Sequence, residues 1–83
     1  MKVTIRYFAS IREGIGMAQE PLETSATTLA QLRDELIARG NAHAASLARG
    51  RAVRMALNQV MSPEEALLQE GCEVAFFPPV TGG

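Results

Sequence analysis

One histidine, His43, and one cysteine, Cys72, are the first places to look for side-chain chemistry in this chain. His43 sits in an alanine-rich stretch with no Ser or Cys beside it to activate and no second ligand to share a metal, so an ordinary surface residue is expected. Cys72 follows Gly71 with Glu70 and Glu73 nearby, and negative neighbours work against thiolate chemistry, so an inert, partly buried cysteine is expected. A lone cysteine also excludes an internal disulfide and every multi-cysteine zinc pattern. Glu64 and Glu65 are adjacent, so on a helical turn their carboxylates diverge instead of flanking one bond as a hydrolytic pair must, and they read as a solvated face. Gly14 and Gly16 lack the further glycine and the lysine of a phosphate-binding loop and read as turn residues.

What remains is the end of the chain, Pro78-Pro79-Val80-Thr81-Gly82-Gly83. The two prolines lack backbone donors and fix φ, and Pro78 biases Phe77 toward extended geometry, so this stretch is a stiff strut that cannot pair as another strand. Val80 and Thr81 carry no charge, and Gly82 and Gly83 have no Cβ to block a narrow channel. Six extended residues at about 3.3 Å each reach roughly 20 Å, enough to carry a terminal carboxylate into a pocket on another protein. Terminal glycines commonly fray, so a Gly-Gly ending gains meaning only from the body that presents it.

That body must be small. A chain of 83 residues buries roughly 60 to 65% of the surface its unfolded form exposes, which supports one domain without a deep internal active site. Lys2 to Phe8 alternate, with Val3, Ile5 and Tyr7 on one side and Lys2, Thr4, Arg6 and Phe8 on the other, which predicts a half-buried strand. Ala9 to Gly16 has room for one helical turn, and Met17 to Glu23, with Pro21, reads as the edge strand of an opening hairpin. Thr28 and Gln31 have the form of a capping box, and Leu29, Leu32 and Leu36 at helical spacing predict the main helix, stopped by Gly40. Asn41 to Gly50 reads as a short helix or a structured connection, and Val53 to Asn58 as a strand. Ser62 to Leu68 reads as a short turn or helix, and Glu73 to Phe77 as the last strand.

One amphipathic helix across one mixed sheet is the economical way to bury these stripes, so the expected class is α+β. Parallel pairing of the last strand with the first gives a ubiquitin-like β-grasp, with the first strand central and Val3, Ile5 and Tyr7 meeting Leu29, Leu32, Leu36, Val74 and Phe76. The expected division is a domain over residues 1–77 and a protruding functional tail over 78–83. Strand parity turns Phe8 and Phe77 away from the core, where they form an exposed aromatic patch with Arg12 nearby.

Eight Lys and Arg against nine Asp and Glu leave a net charge of −1, which argues against the basic field that nucleic acid demands. Lys2, Arg6 and Arg12 nonetheless make the opening positive, while Glu64, Glu65, Glu70 and Glu73 make the approach to the tail negative. No apolar run approaches the roughly 18 residues of a membrane span, and Met1 leads directly into an alternating segment. An untargeted cytoplasmic protein is expected, with neither nucleic acid nor membrane as partner.

The ending Glu73-Val74-Ala75-Phe76-Phe77-Pro78-Pro79-Val80-Thr81-Gly82-Gly83 closely resembles that of the small, sulfur-carrying subunits of molybdopterin synthase. Phe8-Ala9 followed by Arg12-Glu13 resembles that family's first strand and turn, and Ala56-Leu57-Asn58 its strand before the closing segment. Cys72 departs from the pattern, standing where the family usually has Asp, which costs that turn a carboxylate acceptor without touching the tail. The resemblance implies that a ubiquitin-activating-like adenylyltransferase uses ATP to adenylate the Gly83 carboxylate and that a sulfur donor protein displaces AMP, leaving a thiocarboxylate. It implies that the tail, Gly82 and Gly83 foremost, then enters the large catalytic subunit and gives its sulfur to cyclic pyranopterin monophosphate, building the dithiolene of molybdopterin. It further implies a heterotetramer of two small and two large subunits and no permanently bound cofactor. Phe8, Arg12, Phe77, Pro78, Pro79, Val80 and Thr81 are the partner-binding residues it suggests. A related carrier of the thiamine thiazole type, a ubiquitin-like modifier and a plain interaction module are the alternatives, and the Phe-Phe-Pro-Pro-Val-Thr lead disfavours the first two.

Overall fold

The computed structural model describes residues 1–79. In chain order they form β1 (Lys2–Tyr7), α1 (Ala9–Ile15), β2 (Gln19–Glu23), α2 (Leu29–Ile37), α3 (Asn41–Leu47), β3 (Arg54–Leu57), β4 (Val60–Met61) and β5 (Glu73–Phe77). The five strands make one mixed sheet in the order β2-β1-β5-β3-β4. β1 and β5 run parallel, with Ile5 opposite Val74 and Tyr7 opposite Phe76. β1 is interior as expected, but β5 takes the middle place, because β3 joins its far side and β4 extends β3 outward. Pro21 lies in β2 opposite Thr4 at the sheet edge, where a missing donor breaks no ladder.

The core is the set the alternation and helical spacing pick out. Val3, Ile5, Tyr7, Met55, Val74 and Phe76 from the sheet meet Leu29, Leu32 and Leu36 from α2, with Ile11, Ile15 and Leu47 closing the ends. Thr28 caps α2 by accepting the Gln31 N–H at 3.2 Å, while the Gln31 side chain accepts from the Thr27 N–H at 2.8 Å.

Several elements depart from the sequence expectation. α1 is two turns long, because Ile11 and Ile15 stand one turn apart and both reach the core. It ends where Gly16, at φ +91°, donates its N–H to the Arg12 carbonyl at 2.8 Å. Gly14 is therefore a helix residue; a Cβ there would stand 2.5 Å from Ser46 Oγ, at the close approach of α1 to α3. α2 stops at Ile37, and Gly40, at φ +77°, turns the chain directly into α3. Of the turn or helix expected over residues 62–68, the structure shows the turn, with the Ala66 N–H donating to the Pro63 carbonyl at 3.0 Å, while the carbonyls of Glu64 and Ala66 accept the first-turn amides of α2, from Ala30 at 2.9 Å and Leu29 at 3.1 Å. β4, two residues long, carries too little pattern to be read.

Arg33 is buried in α2, with its guanidinium donating to the carbonyls of Leu47 and Ala48 at 2.8 Å and of Arg51 at 3.1 Å. It thereby caps the C-terminal end of α3 and fixes the connection into β3. The two charge poles meet across the sheet, where Arg6 lies 3.8 Å from Glu73 and the Glu70 carboxylate accepts the Lys2 N–H at 3.2 Å.

Candidate functional site

The tail leaves from the rung where β1 ends and β5 ends. Ala9 takes φ +51°, a conformation unusual for a residue with a Cβ, and this sharp corner lets β1 pass into α1 immediately after Phe8. The Phe8 carbonyl accepts the first amides of α1, from Ile11 at 3.1 Å and Arg12 at 3.2 Å, while its own N–H donates to the Phe76 carbonyl at 3.1 Å. Phe8 is thus fixed beside Phe77, with ring centroids 6.3 Å apart and planes at 86°, an edge-to-face pair. Phe8 is 38% exposed and Phe77 half-buried, so the expected patch is present on the face away from the core.

The cation on that patch is not the expected one. The Arg6 guanidinium lies 5.3 Å from the centroid of the Phe8 ring, whereas Arg12 is exposed on α1 and contributes to the rung through its backbone. The signal for Arg6 was present in the strand alternation, since residues 6 and 8 share a face. Pro78 and Pro79 are half-buried, and Pro78 borders a small cleft with Ser10, Ile11 and Val53, so the strut starts against the body. Val80, Thr81, Gly82 and Gly83 lie outside the described residues.

Behind the patch stands a polar cluster that the sequence did not announce. Glu20 Oε2 accepts the Tyr7 hydroxyl at 2.7 Å and lies 3.0 Å from His43 Nε2, while Glu20 Oε1 accepts from Arg39 Nη1 at 2.8 Å. The His43 ring meets Tyr7 edge-on at 5.9 Å. Burial alone would raise the Glu20 pKa, but hydrogen bonds from Arg39, His43 and Tyr7 outweigh it and hold the carboxyl at about 2, against 4.5 ordinarily. Burial and the same carboxylate push the Tyr7 phenol far above its usual value. His43 is therefore no ordinary surface residue; its side chain is 14% exposed and clasps α3 to β2. Its partner lies 23 residues away, beyond any local pattern. Glu64 is likewise half-buried and paired with Arg49, while Cys72 is a free thiol buried at the entrance to β5.

Among the described residues, no cluster of His, Cys, Asp and Glu fits a metal ion, and no helix is long and apolar enough to cross a membrane. A helix-backed mixed sheet with parallel first and last strands defines a ubiquitin-like β-grasp protein. The chain matches the ThiS family over residues 5–83 and belongs to that family. It is 38% identical over 81 residues to the molybdopterin synthase sulfur carrier subunit of Haemophilus influenzae, spanning 98% of this chain and 99% of that protein. A putative molybdopterin converting factor subunit 1 from Pyrococcus furiosus superposes with a TM-score of 0.79 at 26% identity, covering 96% of this chain and 99% of that one. A chain from the complex of subunits 1 and 2 of the Helicobacter pylori molybdopterin-converting factor superposes at 0.67 with 26% identity, covering both chains completely.

Proposed function

We propose that this chain is the sulfur carrier subunit of a molybdopterin synthase, non-catalytic by itself, with residues 1–77 as the presenting body and 78–83 as the working tail. The observation that carries the reading is the 38% identity, over nearly the whole length of both proteins, to a sulfur carrier subunit of that enzyme. The Phe8–Phe77 rung agrees with it, because a partly exposed aromatic pair at the root of a stiff strut suits a body that docks while its end reaches further. In this reading the Gly83 carboxylate attacks the α-phosphorus of ATP on a ubiquitin-activating-like adenylyltransferase, releasing pyrophosphate. A persulfide sulfur on a donor protein then displaces AMP from the acyl carbon, and a thiol cleaves the resulting acyl disulfide, forming a disulfide with the donor's sulfur and releasing the thiocarboxylate.

The tail, with Pro78, Pro79, Val80 and Thr81 lining its path and Gly82 and Gly83 at its tip, enters the large catalytic subunit. There the sulfur attacks cyclic pyranopterin monophosphate, and hydrolysis returns Gly83 to its carboxylate. Two deliveries build the dithiolene. The working assembly is a cytoplasmic heterotetramer of two small and two large subunits, and acids, bases and substrate-phosphate contacts belong to the large subunit. ATP is a co-substrate of the activating enzyme and not a resident group of this chain.

Reconstitution with the large subunit, precursor and a thiocarboxylating system tests the reading. Deleting Gly83, or adding one residue after it, abolishes molybdopterin formation while the thermal unfolding midpoint stays put, because the reacting atom is displaced within a tight channel. Full activity in either variant overturns it. A plain interaction module would leave the wild-type chain inactive in the same assay.

A further inference from the structure

The helix-free face of the sheet is the surface that the tail chemistry leaves unexplained. Parity and register arrange it in rungs. One rung runs Arg6, Ala75, Ala56, Met61, and the next, toward the tail, runs Phe8, Phe77, Arg54. Ala56 and Ala75 are only 7% and 6% exposed yet stand apart from the core cluster, so longer side chains around them cover this rung. Met61, 51% exposed, closes one side. Arg6 is held in place on the other by the Phe8 ring and by Glu73 at 3.8 Å. Arg54 is exposed and makes no ion pair with any of the described residues.

We propose that Arg6 and Arg54 recognise carboxylates on the large catalytic subunit and select it by charge as it closes over the Phe8–Phe77 rung. The inference rests on the carrier reading above and adds to it the chemistry of the partner's surface. Continuity with the tail supports this occupant: Phe77 directly precedes Pro78, so a protein that swallows the chain end must lie against this last rung. Charge supports it too, because two guanidiniums beside the apolar side chains of Phe8, Phe77 and Met61 fit an apolar surface flanked by carboxylates. Arg6 and Arg54 stand two strands apart and one rung apart, which sets their Cα atoms about 12 Å from each other and the matching carboxylates at a similar spacing.

Calorimetric titration of the full chain against the large subunit, at low and at high salt, tests the proposal with Arg54→Ala, Arg6→Gln and the double variant. Each single change is expected to weaken binding about tenfold at low salt, with a smaller loss at high salt. Arg54 has no ion-pair partner among the described residues, so Arg54→Glu with a urea-unfolding control keeps the test clear of folding defects. Rescue of Arg54→Glu by an acidic-to-lysine change in the large subunit confirms the pairing. Affinities within about twofold of wild type at both salt levels overturn the proposal while leaving the carrier reading intact. A carrier dimer in sedimentation that Arg54→Glu dissolves also overturns it. A wild-type chain that neither binds the large subunit nor accepts sulfur overturns the carrier reading itself.

Discussion

Replacing Glu20 with Gln removes the charge at the centre of the clasp while nearly preserving its shape. In the folded chain this carboxyl titrates at about 2, against 4.5 ordinarily, because Arg39, His43 and Tyr7 all favour the ionised form. A depressed carboxylate pKa contributes stability that is fully present above pH 4.5 and is lost as the pH falls through about 2. A shift of this size corresponds to about 3 kcal/mol. The side chain is only 14% exposed, so solvent screening takes little from that figure. Glu20→Gln is therefore expected to be about 3 kcal/mol less stable than wild type near neutral pH, with the difference shrinking as the pH falls toward 2. Urea unfolding of both proteins across the acid range measures this directly, and the other carboxylates cancel in the difference. Two stability curves that run parallel, at any offset, would refute the reasoning, because the offset would then owe nothing to ionisation.

Arg33→Met leaves the carbonyls of Leu47, Ala48 and Arg51 without their donor and is expected to destabilise the fold by about 3 kcal/mol, with faster amide exchange concentrated in α3. Gln59 takes φ +69° beside Asn58 at φ +50° in the β3–β4 hairpin, so Gln59→Gly is expected to raise stability by about 0.5–1 kcal/mol in urea unfolding. Phe77→Ala is expected to weaken binding to the large subunit at least about tenfold in calorimetry, since it removes half of the edge-to-face pair at the tail's root.

Where residues repeat at a fixed period, the fold was legible from sequence: Val3, Ile5 and Tyr7 alternating, Leu29, Leu32 and Leu36 at helical spacing, Pro21 marking an edge. One helix across one mixed sheet followed from having to bury these stripes together, whereas the parallel pairing of β1 with β5 entered only as the condition for a β-grasp, which the structure meets. Elements decided by distant partners were not legible. The carbonyls of Glu64 and Ala66 are taken by α2, and His43 is half-buried against a glutamate 23 positions away. The aromatic pair of the candidate site followed from strand parity, whereas its cation did not: Arg12 shares the local sequence, but Arg6 shares the face.

The central claim is that the carboxyl end of this chain leaves its activating enzyme carrying sulfur. Intact-mass measurement of the full chain after incubation with an activating enzyme, ATP and a sulfur source tests it most directly. The expected result is exchange of one oxygen for one sulfur at Gly83, dependent on ATP and absent when Gly83 is removed. An unaltered mass, under conditions that modify an established carrier, would contradict it.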